Sequence, residues 1–221
     1  MNTMLKTFIF LLIFVSFYSI ADAQIGIFEQ STDVGKVKIK GDAVFEKQSG
    51  QYHLKGSGKN MWDKQDEFHF LYRFVKEDFT LNSAMSWVGK GVALHRKAGL
   101  MIRESLDTGS RYVSIAVHGD GLVSMQYRLE KDSVTKEIRA QSNFLSLLEL
   151  NRNGDTITIY ATDSIQAYSK IGSIVMNFQG KEVYVGLFVC SHESKVLEEV
   201  IFDKTSLRLP SDFEIQSNKP K

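Results

Sequence analysis

Lys97 to Arg128 reads K-A-G-L-M-I-R-E-S-L-D-T-G-S-R-Y-V-S-I-A-V-H-G-D-G-L-V-S-M-Q-Y-R, three short runs separated by two glycine-containing turns. Val113, Ile115 and Val117 alternate with Ser114, Ala116 and His118. In the next run Val123, Met125 and Tyr127 alternate with Ser124, Gln126 and Arg128. Successive side chains of a strand point to opposite sides of a sheet, so this period of two predicts β-strands with one apolar and one polar face. In an antiparallel sheet the apolar set goes to the core and the polar set to solvent. Polar positions of neighbouring strands then stand side by side, where they can line a groove.

The same grammar runs through the rest of the chain. Short alternating or apolar runs bounded by Gly, Asn and Asp are expected as strands at Gly35–Lys40, Asp42–Lys47, Gln51–Gly56, Phe68–Val75 and Phe79–Val88. Further strands are expected at Gly99–Glu104, Tyr112–His118, Leu122–Leu129, Ser146–Arg152 and Thr156–Thr162. Ile171–Asn177, Val183–Ser191 and Val196–Lys204 complete the series. Asn153-Gly154 is a hairpin turn signal, because both residues tolerate positive φ. Amphipathic helical patterns are scarce and no internal repeat appears. About a dozen strands predict an all-β sandwich of two antiparallel sheets.

The ends read differently. Lys6, the apolar run Phe8–Ile20 and the small-x-small Ala21-Asp22-Ala23 form the pattern of a cleaved export signal, residues 1–23. The run is shorter than the roughly 20 apolar residues of a spanning helix. An exported protein, periplasmic or secreted, is expected, with no membrane anchor once the leader is removed. Residues 24–209 form one domain, long enough to bury a core without disulfides, and 210–221 read as a polar tail. The only prolines, Pro210 and Pro220, fall at that tail, so no Pro-rich linker divides the chain. Cys190, the single cysteine, lies in a strand-like run and is expected as a buried, inert thiol. A formal net charge of +1 carries no basic excess for nucleic acid.

Gly56-Ser57-Gly58 with Met61-Trp62, Phe68-His69-Phe70, Ala98 to Asp107, Val183 to His192 and Phe202-Asp203 together resemble a family labelled “regulation of enolase”, whose domain is concanavalin A-like. The resemblance spans residues 25–207. It implies a jelly-roll sandwich with one concave polar face, as in lectins and glucanases, and no agreed activity.

Candidate site residues follow from the faces. Arg103 and Glu104 are neighbours in one strand and so point to opposite faces, which separates them as a catalytic pair. Arg103 joins the polar face with His118, Gln126 and Arg128, side chains that hydrogen-bond sugar hydroxyls or carboxylates. Trp62, Asp66, Glu67 and His69 follow the G-S-G loop, and an indole there can stack on a sugar. His192 is an outer candidate, Trp87 is expected in the core, and Asp120 between two glycines reads as a turn former. No catalytic residue and no metal ligand is assigned. The five histidines are scattered, and a structural calcium at Asp63/Asp66 or Asp107 is compatible with the sequence without being specified by it.

The expectation is therefore an exported β-sandwich that binds a carbohydrate or related polymer. The competing readings are a glycoside hydrolase or lyase using Glu67, Glu104 or Asp66, and an envelope scaffold that docks other proteins.

Overall fold

The computed structural model describes residues 24–163, 168–178 and 180–212, so the expected leader and most of the expected tail lie outside the described residues. Among the described residues the chain forms fourteen strands. They are β1 (Gln30–Val34), β2 (Asp42–Glu46), β3 (Gln51–Gly56), β4 (Phe68–Val75), β5 (Phe79–Trp87), β6 (Lys97–Arg103) and β7 (Tyr112–His118). The remainder are β8 (Val123–Arg128), β9 (Lys136–Arg139), β10 (Leu147–Asn153), β11 (Thr156–Thr162), β12 (Ser169–Val175), β13 (Val183–Cys190) and β14 (Glu198–Arg208).

Two seven-stranded sheets result, ordered β1-β4-β13-β6-β7-β8-β9 and β12-β11-β10-β5-β14-β3-β2, with every pairing antiparallel. This is a jelly-roll-type β-sandwich, as the strand count and alternation required. The Asn153-Gly154 turn joins β10 to β11, with Gly154 at φ 58°.

Two local expectations fail. Gly35–Lys40 is not a strand, although V-K-I-K alternates; the chain leaves β1 at Gly35 (φ 80°) and arcs until Asp33 accepts from the Gly41 amide at 3.0 Å. Alternation without a pairing partner makes no strand. The edge strands β1 and β9 lie where no strand was expected.

The main core lies between the sheets. Leu100, Ile102, Val113, Ile115, Met125, Val185 and Leu187 of the first sheet meet Leu54, Leu81, Leu148, Leu150, Ile159 and Phe202 of the second. A second, smaller core sits on the outer face of the first sheet, where Phe68, Phe70, Met101, Tyr112, Ala116 and Phe188 pack around Met61. Met61 belongs to the segment 57–67 between β3 and β4. That segment lies across the sheet like a strap.

Candidate functional site

The outer face of the first sheet is ordered in rows. One row crosses all seven strands: Gln30, Tyr72, Gly186, Met101, Ser114, Gln126 and Glu137. On the β1–β13 side the face is aromatic, with Phe70 stacked on Tyr72 at 5.3 Å and Tyr184 against both Tyr72 and Phe74. On the β7–β9 side it is polar.

The polar half was expected to face solvent, yet Ser114, Gln126, Arg103 and Arg128 are all fully buried. The strap is the reason. Gly58 O accepts from Ser191 Oγ (3.3 Å), Met61 O from Tyr112 Oη (3.0 Å), and Trp62 O from the Thr135 amide (3.0 Å). At its centre Asp66, fully buried, accepts from Arg103 Nη1 (3.3 Å) and from Arg128 Nη1 and Nη2 (2.8 Å each). Further guanidinium hydrogens go to backbone carbonyls of Ser105, Asp107, Asp63, Ser110 and Ser133. Arg103 and Arg128 therefore anchor the strap rather than face an open groove. The two guanidinium groups and one carboxylate hold a loop whose Met61 fills the middle of the sheet.

His69 also sits elsewhere than expected. It shares β4 with the outward Phe68 and Phe70 but points the opposite way, toward the space between the sheets. Its Nδ1 meets Asp33 Oδ1 at 2.9 Å, and the ring is almost wholly buried. It thus belongs to the end of the main core and not with Trp62. Glu104 lies just beyond β6, half-buried and paired with Lys181 (2.9 Å) and Arg111 (3.6 Å). Glu67 accepts from the Lys59 amide at 3.1 Å.

At one edge of the strap the structure does assemble a polar cluster. Trp62 is 40% exposed, and the Lys97 ammonium lies 5.7 Å from the centre of its ring. Lys97 Nζ donates to Asn60 Oδ1 at 2.8 Å and has no carboxylate in ion-pair range among the described residues. Directly across the β6–β7 pair stands His118, with His95 at 6.3 Å from it and His192 a further 5.5 Å from His95, ring centre to ring centre. Of the expected residues, Trp62, His118, Gln126 and His192 fall in or beside this cluster. Lys97, His95, Asn60 and Glu137 were not anticipated. Lys97 was legible in principle, since it alternates with Gly99, Met101 and Arg103 on the polar face; Glu137 lies on β9, which the alternation rule did not detect.

Hydrogen-bond accounting fixes the state of this cluster. Glu137 accepts from Arg139 Nε (2.7 Å) and from Gln126 Nε2 (3.2 Å). Burial pushes the Glu137 carboxyl up, but the bonds from Arg139 and Gln126 help to outweigh it and hold it ionised. An ionised carboxylate only accepts, so the Gln126 amide must present its NH2 group to it. The second amide hydrogen then points to His118 Nε2 at 3.2 Å, which must accept. Burial, followed by repulsion from Lys97, drives the His118 pKa down to about 4, so the ring is neutral and its proton lies on Nδ1. That Nδ1 is buried and has no acceptor, and Gln126 Oε1 is buried and has no donor.

A cleft of about 930 Å³ runs along the strap and includes Lys36, Lys59, Asn60, Glu67, Val134 and His192 in its lining, so it adjoins the cluster. Among the described residues no group of three or more His, Cys, Asp or Glu is placed to hold a metal ion. Both Asp66 oxygens face guanidinium groups and Asp107 pairs with Lys131 at 2.6 Å, neither an environment suited to calcium. Cys190 is buried, and desolvation pushes its thiol pKa up to about 11.

Fold and site together define a β-sandwich with a strapped outer face and one polar, indole-bearing corner. In structure it is similar to a functionally unknown protein from Saccharomyces cerevisiae (TM-score 0.62, 18% identity, covering 82% of this chain and 97% of that one). It is also similar to a variant of the GH43 protein BlXynB from Bacillus licheniformis (TM-score 0.56, 12% identity, 81% of this chain, 39% of that one). A third is a xylan β-1,4-xylosidase from Bacillus halodurans (TM-score 0.55, 15% identity, 75% of this chain, 34% of that one). The chain thus corresponds to nearly all of the first and to well under half of the other two. At these identities the likeness is one of fold. No protein-family model matches the chain, and no curated protein matches it in sequence.

Proposed function

We propose that this is an exported β-sandwich that binds a carbohydrate chain at the corner formed by Trp62, Lys97, His118, Gln126 and His192. The observation that carries the reading is the exposed Trp62 ring set beside buried donors and acceptors that lack protein partners. An indole covers the apolar face of a pyranose, while an unpaired imidazole N–H and amide oxygen are complementary to hydroxyl groups. The fold shared with a GH43 protein and a xylan β-1,4-xylosidase supports the carbohydrate class. Periplasmic or secreted placement rests on the sequence pattern of residues 1–23.

Binding without hydrolysis is favoured because glycosidases need two carboxyl groups flanking one bond at about 5–5.5 Å or about 6.5–9.5 Å. Asp66 is enclosed by two guanidinium groups, Glu104 is paired outside the cluster, and Glu137 is engaged by Arg139 and Gln126. Affinity electrophoresis in gels containing soluble polysaccharides tests the proposal. Retardation of the wild type, abolished in Trp62→Ala, is the expected result. Unretarded migration in every polysaccharide, or release of reducing ends during incubation, would overturn it.

A further inference from the structure

We infer that the carbohydrate taken at this corner carries an anionic group, a uronate carboxylate or a sulfate, seated among Lys97, His118 and His192. The inference rests on the carbohydrate reading above and names its substrate class. Its ground is a mismatch between donors and acceptors. Lys97 is 3% exposed, yet among the described residues Asn60 is its one side-chain hydrogen-bond partner and no carboxylate lies within 4 Å. A buried ammonium without a counter-ion is costly; burial lowers the Lys97 pKa accordingly, and an anion beside it would favour the charged form again.

The neighbours point the same way. His118 faces Lys97 across the β6–β7 pair and holds a buried Nδ1–H with no acceptor. His192 lies beside them, its ring centre 5.5 Å from that of His95, on a backbone held at φ 60°. Positive φ in a non-glycine residue is costly and persists where the surroundings impose it. Burial, followed by repulsion from Lys97, disfavours protonation of both His118 and His192, against the opposing pull of Glu137 and Asp120 on the first and of Glu193 on the second. The nearby acid, Glu137, is already engaged by Arg139 and Gln126. What the corner lacks is an acceptor with negative charge. A carboxylate or sulfate group is complementary to both the Nδ1–H of His118 and the Lys97 ammonium.

Titration calorimetry of the folded protein with oligogalacturonate, a sulfated dextran oligosaccharide and xylo-oligosaccharide separates the possibilities. Tighter binding of one or both acidic ligands is expected, weakened at least tenfold in Lys97→Met and weakened by added salt, with preference between the two identifying carboxylate or sulfate. Should Lys97→Met fail to fold, the imidazole nitrogen resonances of His118 in the wild type serve instead, shifting with the acidic ligand and not with the neutral one. Equal or preferential binding of xylo-oligosaccharide, or acidic binding untouched by Lys97→Met, overturns the inference and leaves the carbohydrate reading standing. Binding of none of the three overturns both.

Discussion

Asp66 is a single carboxylate shared by two guanidinium groups, and all three side chains are fully buried. Removing one member of such a cluster leaves buried charge without its counterpart, which costs about 3–5 kcal/mol. Asp66→Ala is therefore expected to lower the urea midpoint sharply, and a change below about 1 kcal/mol would contradict the anchoring role. Trp62 is the opposite case. At 40% exposure its replacement by alanine should change stability by no more than about 1 kcal/mol while abolishing retardation by polysaccharide, the two read on one preparation by urea melting and affinity gel. The sequence showed that Arg103, His118, Gln126 and Arg128 share a polar face. It could not show that Asp66, far off in the chain, returns over that face and consumes both arginines. Alternation reports which side a residue points to and is silent about what covers that side.

At the scale of elements, the strap 57–67 decides how much of the sheet is open. It is tied by Asn60 O to the Glu67 amide (2.9 Å) and by Thr108 O to the Asp66 amide (3.0 Å), and it turns at Gly58, φ 128°. A Cβ added to Gly58 would stand 2.0 Å from the Glu67 carbonyl oxygen, so Gly58→Ala cannot keep this closure. Hydrogen exchange read by mass spectrometry should show lost protection at the Asp66 and Glu67 amides with β6–β8 still protected. Protection unchanged throughout would refute the assigned role of the strap. Strands with strong alternation were legible, β7 and β8 above all. The arc after Gly35 was not, because V-K-I-K has the period of a strand, and only the partner chain decides whether a strand forms.

For the whole molecule, acid is the predicted weakness. His118 titrates at about 4 in the fold against about 6.5 in an unfolded chain, so below 6.5 the unfolded state binds the extra proton. Its contribution is fully present above pH 6.5 and is lost as pH falls toward 4, by about 3 kcal/mol; burial lowers His69 and His192 in the same direction. Urea midpoints measured from pH 7 to pH 4 should fall, and His118→Gln should flatten the slope; an unaltered slope would count against the assignment. Two antiparallel sheets were legible from the strand count, but strand order was not, since it is set by long-range pairing. That order has a temporal meaning. β13 lies between β4 and β6, and β14 between β5 and β3, so the last two strands in chain order among the described residues each occupy the interior of a sheet. Until they emerge, the nascent chain holds four half-sheets with bare inner edges, the kind of surface that recruits other chains. A chain stopped before Glu198 is expected to aggregate, as pelleting after refolding would reveal. Assembly of this sandwich is therefore a closing event, withheld until Glu198–Arg208 has been made.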